Sequence, residues 1–208
     1  MAAGKRVSGS SAEAGARGPE TRSGDPETRA RQICLRLLTA EPRTRAQLAQ
    51  ALRRRGVPAD AAEAVLSRFA DAGLINDAVF ARAWVESRHH SRGLSRRSLS
   101  AELRRRGVDG EEIREAVDAL DPEQEVATAR RLVEQKMAST RGQPPQARAR
   151  RVASLLARKG YPPGLTFRLI REVMQQEGPV DLDLDAEPYL APEEEAPEEP
   201  PAEPGYSS

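Results

Sequence analysis

Leu52-Arg53-Arg54-Arg55-Gly56-Val57 returns letter for letter as Leu103-Arg104-Arg105-Arg106-Gly107-Val108. A looser copy follows as Leu156-Ala157-Arg158-Lys159-Gly160-Tyr161. The glycines lie 51 and 53 residues apart, and a fixed period of that kind signals repeated structural units. Each copy reads as the end of a helix. A leucine faces inward, cations fill the last turn where the helix dipole is negative, and glycine takes the left-handed position that closes the helix. An apolar residue follows, placed to fold back on that turn. Two roles stay open for the cations: helix-end caps on a solvated surface, or a binding face that presents like charge at regular intervals.

The 208 residues allow one or two ordinary domains or a short repeat array. Aromatic residues make up only 3%, so the natural core is one of small helices rich in Ala, Leu and Val. The single Cys34 excludes an internal disulfide and a multi-cysteine zinc site, and reads as a buried small apolar residue. No apolar run approaches the ~20 residues of a membrane span, and the N-terminus lacks the apolar core of a signal peptide. These features lead us to expect a soluble, cytoplasmic protein.

The net charge of +1 conceals an asymmetry. Residues 1–28 are balanced, and residues 172–208 hold 12 acidic residues and no Lys or Arg. The remaining 29 basic and 16 acidic residues fall in 29–171, a net +13. A basic body with an acidic tail suits an anionic partner such as nucleic acid or an acidic protein surface, and the tail is expected to compete for that body.

Apolar spacing divides the chain into a disordered N-terminal tail at 1–24, three-helix repeats at 25–75, 76–120 and 121–177, and a disordered acidic, proline-rich tail at 178–208. Helix starts are marked by Asp25-Pro26, by a capping box at Thr44–Gln47, by Asn76 or Asp77, by Ser95, by a capping box at Asp109–Glu112 and by Asp121-Pro122. The 51-residue offset sets Ser95 on Thr44, Leu99 on Leu48 and Trp84 on Ile33. No strand pattern competes, so the fold class is an all-α tandem array of three three-helix repeats, elongated and curved.

No enzyme constellation assembles. There is no phosphate-binding glycine loop, and the adjacent His89 and His90 splay about 100° apart on a helix, so they read as a solvated pair near its end. Trp84 and Phe80 read as core, with a binding surface as the alternative for Trp84. No catalytic, metal or cofactor residues are expected. The candidate partner residues are Arg45, Arg53, Arg54 and Arg55 in the first unit, and Arg96, Arg97, Arg104, Arg105 and Arg106 in the second. The third unit adds Arg148, Arg150, Arg151, Arg158 and Lys159.

One longer stretch carries a resemblance. Gly73-Leu74-Ile75-Asn76-Asp77 precedes Phe80-Ala81 and Trp84-Val85, then Arg88, Gly93 through Arg97, and Glu102-Leu103-Arg104-Arg105-Arg106-Gly107-Val108. Together with the three-unit plan over 29–176, this resembles the RecX family, bacterial regulators of the recombinase RecA. The resemblance implies an elongated, all-α molecule of tandem three-helix modules; we expect a monomer. It implies binding to RecA and to its filament on single-stranded DNA, lodged in the filament groove. It further implies reduced recombinase, ATPase and coprotease activity in DNA repair and the SOS response, with no cofactor. The alternatives from the residues alone are a non-specific DNA-binding helical protein without a recombinase partner, and a helical scaffold for another protein. Weak direct DNA binding is compatible with the first reading also.

Overall fold

A computed structural model of the protein describes residues 25–177. The tails expected at 1–24 and 178–208 lie outside the described residues. Nine α-helices and no strand occur among the described residues. They are α1 (Pro26–Ala40), α2 (Arg45–Arg54), α3 (Ala59–Asp71), α4 (Asp77–Arg92), α5 (Arg96–Arg105), α6 (Gly110–Asp118), α7 (Pro122–Ser139), α8 (Pro145–Arg158) and α9 (Pro163–Glu177).

The helices pack in threes, each trio around its own core. Cys34, Leu48, Leu52, Val65, Leu66 and Phe69 fill the first. Phe80, Val85, Leu99, Leu103, Ile113 and Val117 fill the second. Val133, Met137, Val152, Leu156, Leu169 and Ile170 fill the third. Leu48, Leu52, Leu99, Leu103 and Leu156 are fully buried, and each contributes about 1.5–3 kcal/mol by leaving water. Cys34 is free and wholly buried, and burial pushes its thiol pKa up.

The repeated stretch forms one motif three times. Gly56, Gly107 and Gly160 have φ of 69°, 77° and 83°, where glycine alone carries no Cβ penalty. The N–H of Val57, Val108 and Tyr161 donates to the carbonyl of Leu52, Leu103 and Leu156 at 3.2, 3.2 and 3.0 Å. The glycine N–H donates to Arg53, Arg104 and Ala157 in turn, which completes a Schellman stop at α2, α5 and α8.

The start signals are mostly as expected. Asp25, Asn76, Ser95 and Asp121 each cap a helix, and Thr44 with Gln47 forms a full capping box. The Asp109–Glu112 box does not form: the Asp109 carboxylate accepts instead from the N–H of Glu111 at 2.9 Å. A short Asx bond serves the same helix end.

Candidate functional site

The basic middle helices α2, α5 and α8 are joined end to end, and the joints position the whole charged surface. At the first joint the C-terminus of α5 meets the N-terminus of α2, where Thr44 Oγ1 donates to the Arg106 carbonyl at 2.7 Å. At the second, the C-terminus of α8 meets the N-terminus of α5, where Ser95 N–H donates to the Lys159 carbonyl at 3.0 Å. Carbonyls left over at one helix end thus meet donors at the next, the electrostatically favourable pairing of helix ends.

A second bond recurs beside it. The first helical N–H of α2, on Arg45, donates to Asp77 Oδ1 of α4 at 2.9 Å. The first of α5, on Arg96, donates to Glu125 Oε1 of α7, also at 2.9 Å. Burial raises the Asp77 pKa despite that bond, and burial followed by the Asp77 charge raises Glu112 nearby. Gly107 and Gly160 lie inside these joints. A Cβ on Gly107 would overlap that of Ala46, and one on Gly160 would overlap the Ser98 and Ser95 hydroxyls. Gly56 has nothing nearby, and its helix end is closed from within, by Arg29 Nη2 on the Arg55 carbonyl at 2.8 Å.

The two joints differ in their flanks. The second is closed by polar contacts: Tyr161 Oη donates to the Gly93 carbonyl at 3.1 Å and Lys159 Nζ to the Arg92 carbonyl at 2.6 Å. His89 is buried there, its Nε2 3.1 Å from Thr128 Oγ1 and its Nδ1 2.9 Å from the Leu94 carbonyl. The expectation of a solvated histidine pair therefore holds for exposed His90 only. What buries His89 is a residue of α7, 39 positions later, which no local pattern announces.

The first joint is open. A groove of about 470 Å³ runs beside it, its lining made up in part of apolar Leu74, Val79, Phe80 and Trp84 and of charged Glu41, Arg43, Arg88 and Arg106. Leu74 and Val79 are each 52% exposed. Trp84 is half-buried, stacks on Phe80 with centroids 5.7 Å apart, and donates from Nε1 to Glu102 Oε2 at 2.8 Å. The Arg106 guanidinium lies 3.6 Å from the Trp84 ring centroid and that of Arg88 lies 4.2 Å from it. Burial and then the Arg88 charge depress the Arg106 pKa, so two cations are held together over one ring.

The candidate arginines separate into two groups. Arg53, Arg54, Arg97, Arg104, Arg105, Arg150 and Arg151 are exposed, and their side chains form no ion pair among the described residues. Arg158 is exposed as well. The others serve the fold in part. Arg45 pairs with Glu63, and Arg55 Nη1 donates to the Ala51 carbonyl at 3.3 Å. Arg96 reaches Glu125 at 3.7 Å and the Leu120 carbonyl across the second joint. Lys159 is half-buried in that joint, and burial, then Arg158 and Arg92, lower its pKa.

Arg148 faces inward. It is 9% exposed, pairs with Glu177 at 2.7 Å and donates to the Met137 carbonyl at 3.1 Å, which ties α7, α8 and α9 together. The repeat register could have flagged it, because 148 lies 53 residues beyond the cap Ser95 and so falls on an inward position. The signal for Arg88 was its i, i+4 spacing from Trp84.

Among the described residues no cluster of three His, Cys, Asp or Glu side chains could hold a metal ion, and no helix is long and apolar enough to cross a membrane.

Comparison with known proteins agrees with this architecture. Family models match the chain three times: RecX, first three-helix domain, over 30–69; the second over 76–117; and the third over 123–170. The regulatory protein RecX of Thermobifida fusca (strain YX) is 57% identical over 170 residues, which span 80% of this chain and 91% of that one. The regulatory protein RecX of Streptomyces coelicolor is 58% identical over 154 residues, 74% and 82% of the respective chains. The crystal structure of RecX from Lactobacillus salivarius superposes with a TM-score of 0.65 over 73% of this chain and 98% of that one; at 18% identity this likeness concerns the fold. Three matched domains in register with three helical trios, together with relatives near 60% identity, make this chain a member of the RecX family of regulatory proteins.

Proposed function

We propose that the protein binds the RecA recombinase and its filament on single-stranded DNA and limits recombinase, ATPase and coprotease activity during DNA repair and the SOS response. It acts by occupancy and supplies no catalytic group. One observation carries the reading: the end-to-end row of α2, α5 and α8 sets exposed arginines, Arg53 with Arg54, Arg104 with Arg105, and Arg158, at successive helix ends. The intervals are about 15–20 Å, one helix length each. Regularly spaced cations suit a target that is itself periodic and anionic. Several weak contacts then act together through effective concentration.

The test is RecA ATPase on single-stranded DNA with the protein added at substoichiometric ratios. Depression of the rate is expected; an unchanged rate at low salt overturns the proposal. A parallel titration of bare strand and RecA-coated strand separates this reading from simple phosphate binding, which would favour the bare strand and show a steep salt dependence.

A further inference from the structure

The open groove at the first joint holds two of the three large apolar side chains that stand exposed among the described residues, Leu74 and Val79. Leu74 and Val79 stand half in water beside the partly exposed Trp84. Exposed apolar patches with a charged rim mark interaction sites. The lining carries Arg43, Arg88 and Arg106 together with Glu41; Arg43 pairs with Glu41 at 2.6 Å, Glu102 and Glu41 offset the Arg106 charge in part, and Arg88 over the Trp84 ring forms no ion pair among the described residues. The groove therefore asks for a segment with apolar anchors followed by carboxylates.

The chain contains such a segment. Tyr189-Leu190-Ala191-Pro192-Glu193-Glu194-Glu195 has two apolar anchors, then three successive carboxylates, and no cation follows it. We propose that this segment docks in the groove of its own chain, with Tyr189 and Leu190 on Leu74, Val79 and Trp84, and with the glutamates against Arg88 and Arg106.

The reach is sufficient. The described residues end at Glu177, which is held by Arg148 near the start of α8. From there to Arg106 the path follows α8, about 21 Å, and α5, about 15 Å. With the joint and one side chain added, the path is roughly 45 Å, an upper bound on the straight line because any bend shortens it. Thirteen extended residues cover about 45 Å, which brings Leu190 to the groove. The more proximal Val180-Asp181-Leu182-Asp183-Leu184-Asp185 alternates single carboxylates with its apolar residues and lacks the aromatic anchor and the run of three glutamates. The tether replaces affinity with local concentration, and the carboxylate contacts weaken with salt.

Trp84 is the single tryptophan of the chain, so its fluorescence reports this groove alone. The experiment uses the full chain and compares acrylamide quenching of Trp84 in the native protein with two variants. One carries Tyr189→Ser and Leu190→Ser; the other carries Glu193→Gln, Glu194→Gln and Glu195→Gln. No recombinase is present, so the result is independent of the proposed function. We expect both variants to quench at least twofold more strongly and to emit further to the red, and the native chain to approach them at high salt. Leu74→Asp with Val79→Asp should unmask Trp84 equally, with helicity unchanged by circular dichroism. Quenching identical in native and tail variants overturns the proposal. So does protection that vanishes on dilution, which would give the groove to a second copy, and so does protection that appears only when RecA filament is added, which would give it to that partner.

Discussion

Gly56, Gly107 and Gly160 share a backbone conformation but not a neighbourhood. Alanine at any of them must adopt a left-handed φ, at about 1–2 kcal/mol. At Gly56 nothing more is lost. At Gly107 the new methyl meets Ala46, which has no rotamer to yield with, so the backbone of the joint must shift. At Gly160 the obstructing groups are serine hydroxyls, which can turn away in part. Urea unfolding of the three Gly→Ala variants should rank their cost as Gly107, then Gly160, then Gly56, with at least about 1 kcal/mol between first and last. Ala46→Gly should recover part of the Gly107→Ala loss, a non-additive outcome expected only of residues in contact. Arg148 and Arg150 make a second contrast. Arg148→Met removes the Glu177 ion pair and one of the donors to the Met137 carbonyl, which keeps its bonds from Thr140, and should cost about 1–3 kcal/mol. Arg150→Ala, on the exposed face, should stay within about 0.5 kcal/mol.

The helices themselves were plain in the sequence, because their signals are local. Capping residues, inward leucines and closing glycines sit within one or two turns of the ends they specify. The joints were not plain. Thr44 reads as an ordinary cap, yet its hydroxyl also serves the Arg106 carbonyl 62 positions away. Nothing near Gly107 in sequence announces Ala46, and nothing beside His89 announces Thr128. The candidate surface was legible to the same depth. An arginine in a repeat is visible as a charge, but whether Glu177 or Glu125 claims it depends on tertiary packing.

The joints also carry a pH signature. The raised pKa values of Asp77 and Glu112 mean that the folded chain holds these protons more tightly than the unfolded chain does. Their contribution is therefore fully present below the ordinary carboxylate range and is lost as pH rises through the raised values. Asp77→Asn keeps an acceptor for the Arg45 N–H and removes the charge. It should match or exceed native stability at pH 7, and its stability should change less with pH between 4 and 7. Asp77→Ala, which leaves that N–H without its acceptor, should be destabilised; urea titrations at several pH values measure both.

For the whole molecule, the separation of fold from surface sets the decisive variant. Arg104→Glu with Arg105→Glu alters exposed side chains that form no ion pair among the described residues, so the melting temperature should hold within a few degrees. The concentration needed to depress RecA ATPase should rise by about tenfold or more, since reversed charges repel an anionic target as well as losing it. An unchanged inhibition curve would move the binding surface elsewhere on the protein.

Both joints place a carbonyl end on a donor end, and never the reverse, so the protein as a whole is an arrow. Its tail and point are chemically unlike: at one end the Arg55 carbonyl is sealed by Arg29, and at the other α8 begins on Pro144-Pro145 with no side-chain cap. A polymer whose subunits also all point one way would accept such an arrow in a single orientation. Two molecules bound in succession would then follow each other head after tail, as heterologous contacts require, and could not meet face to face.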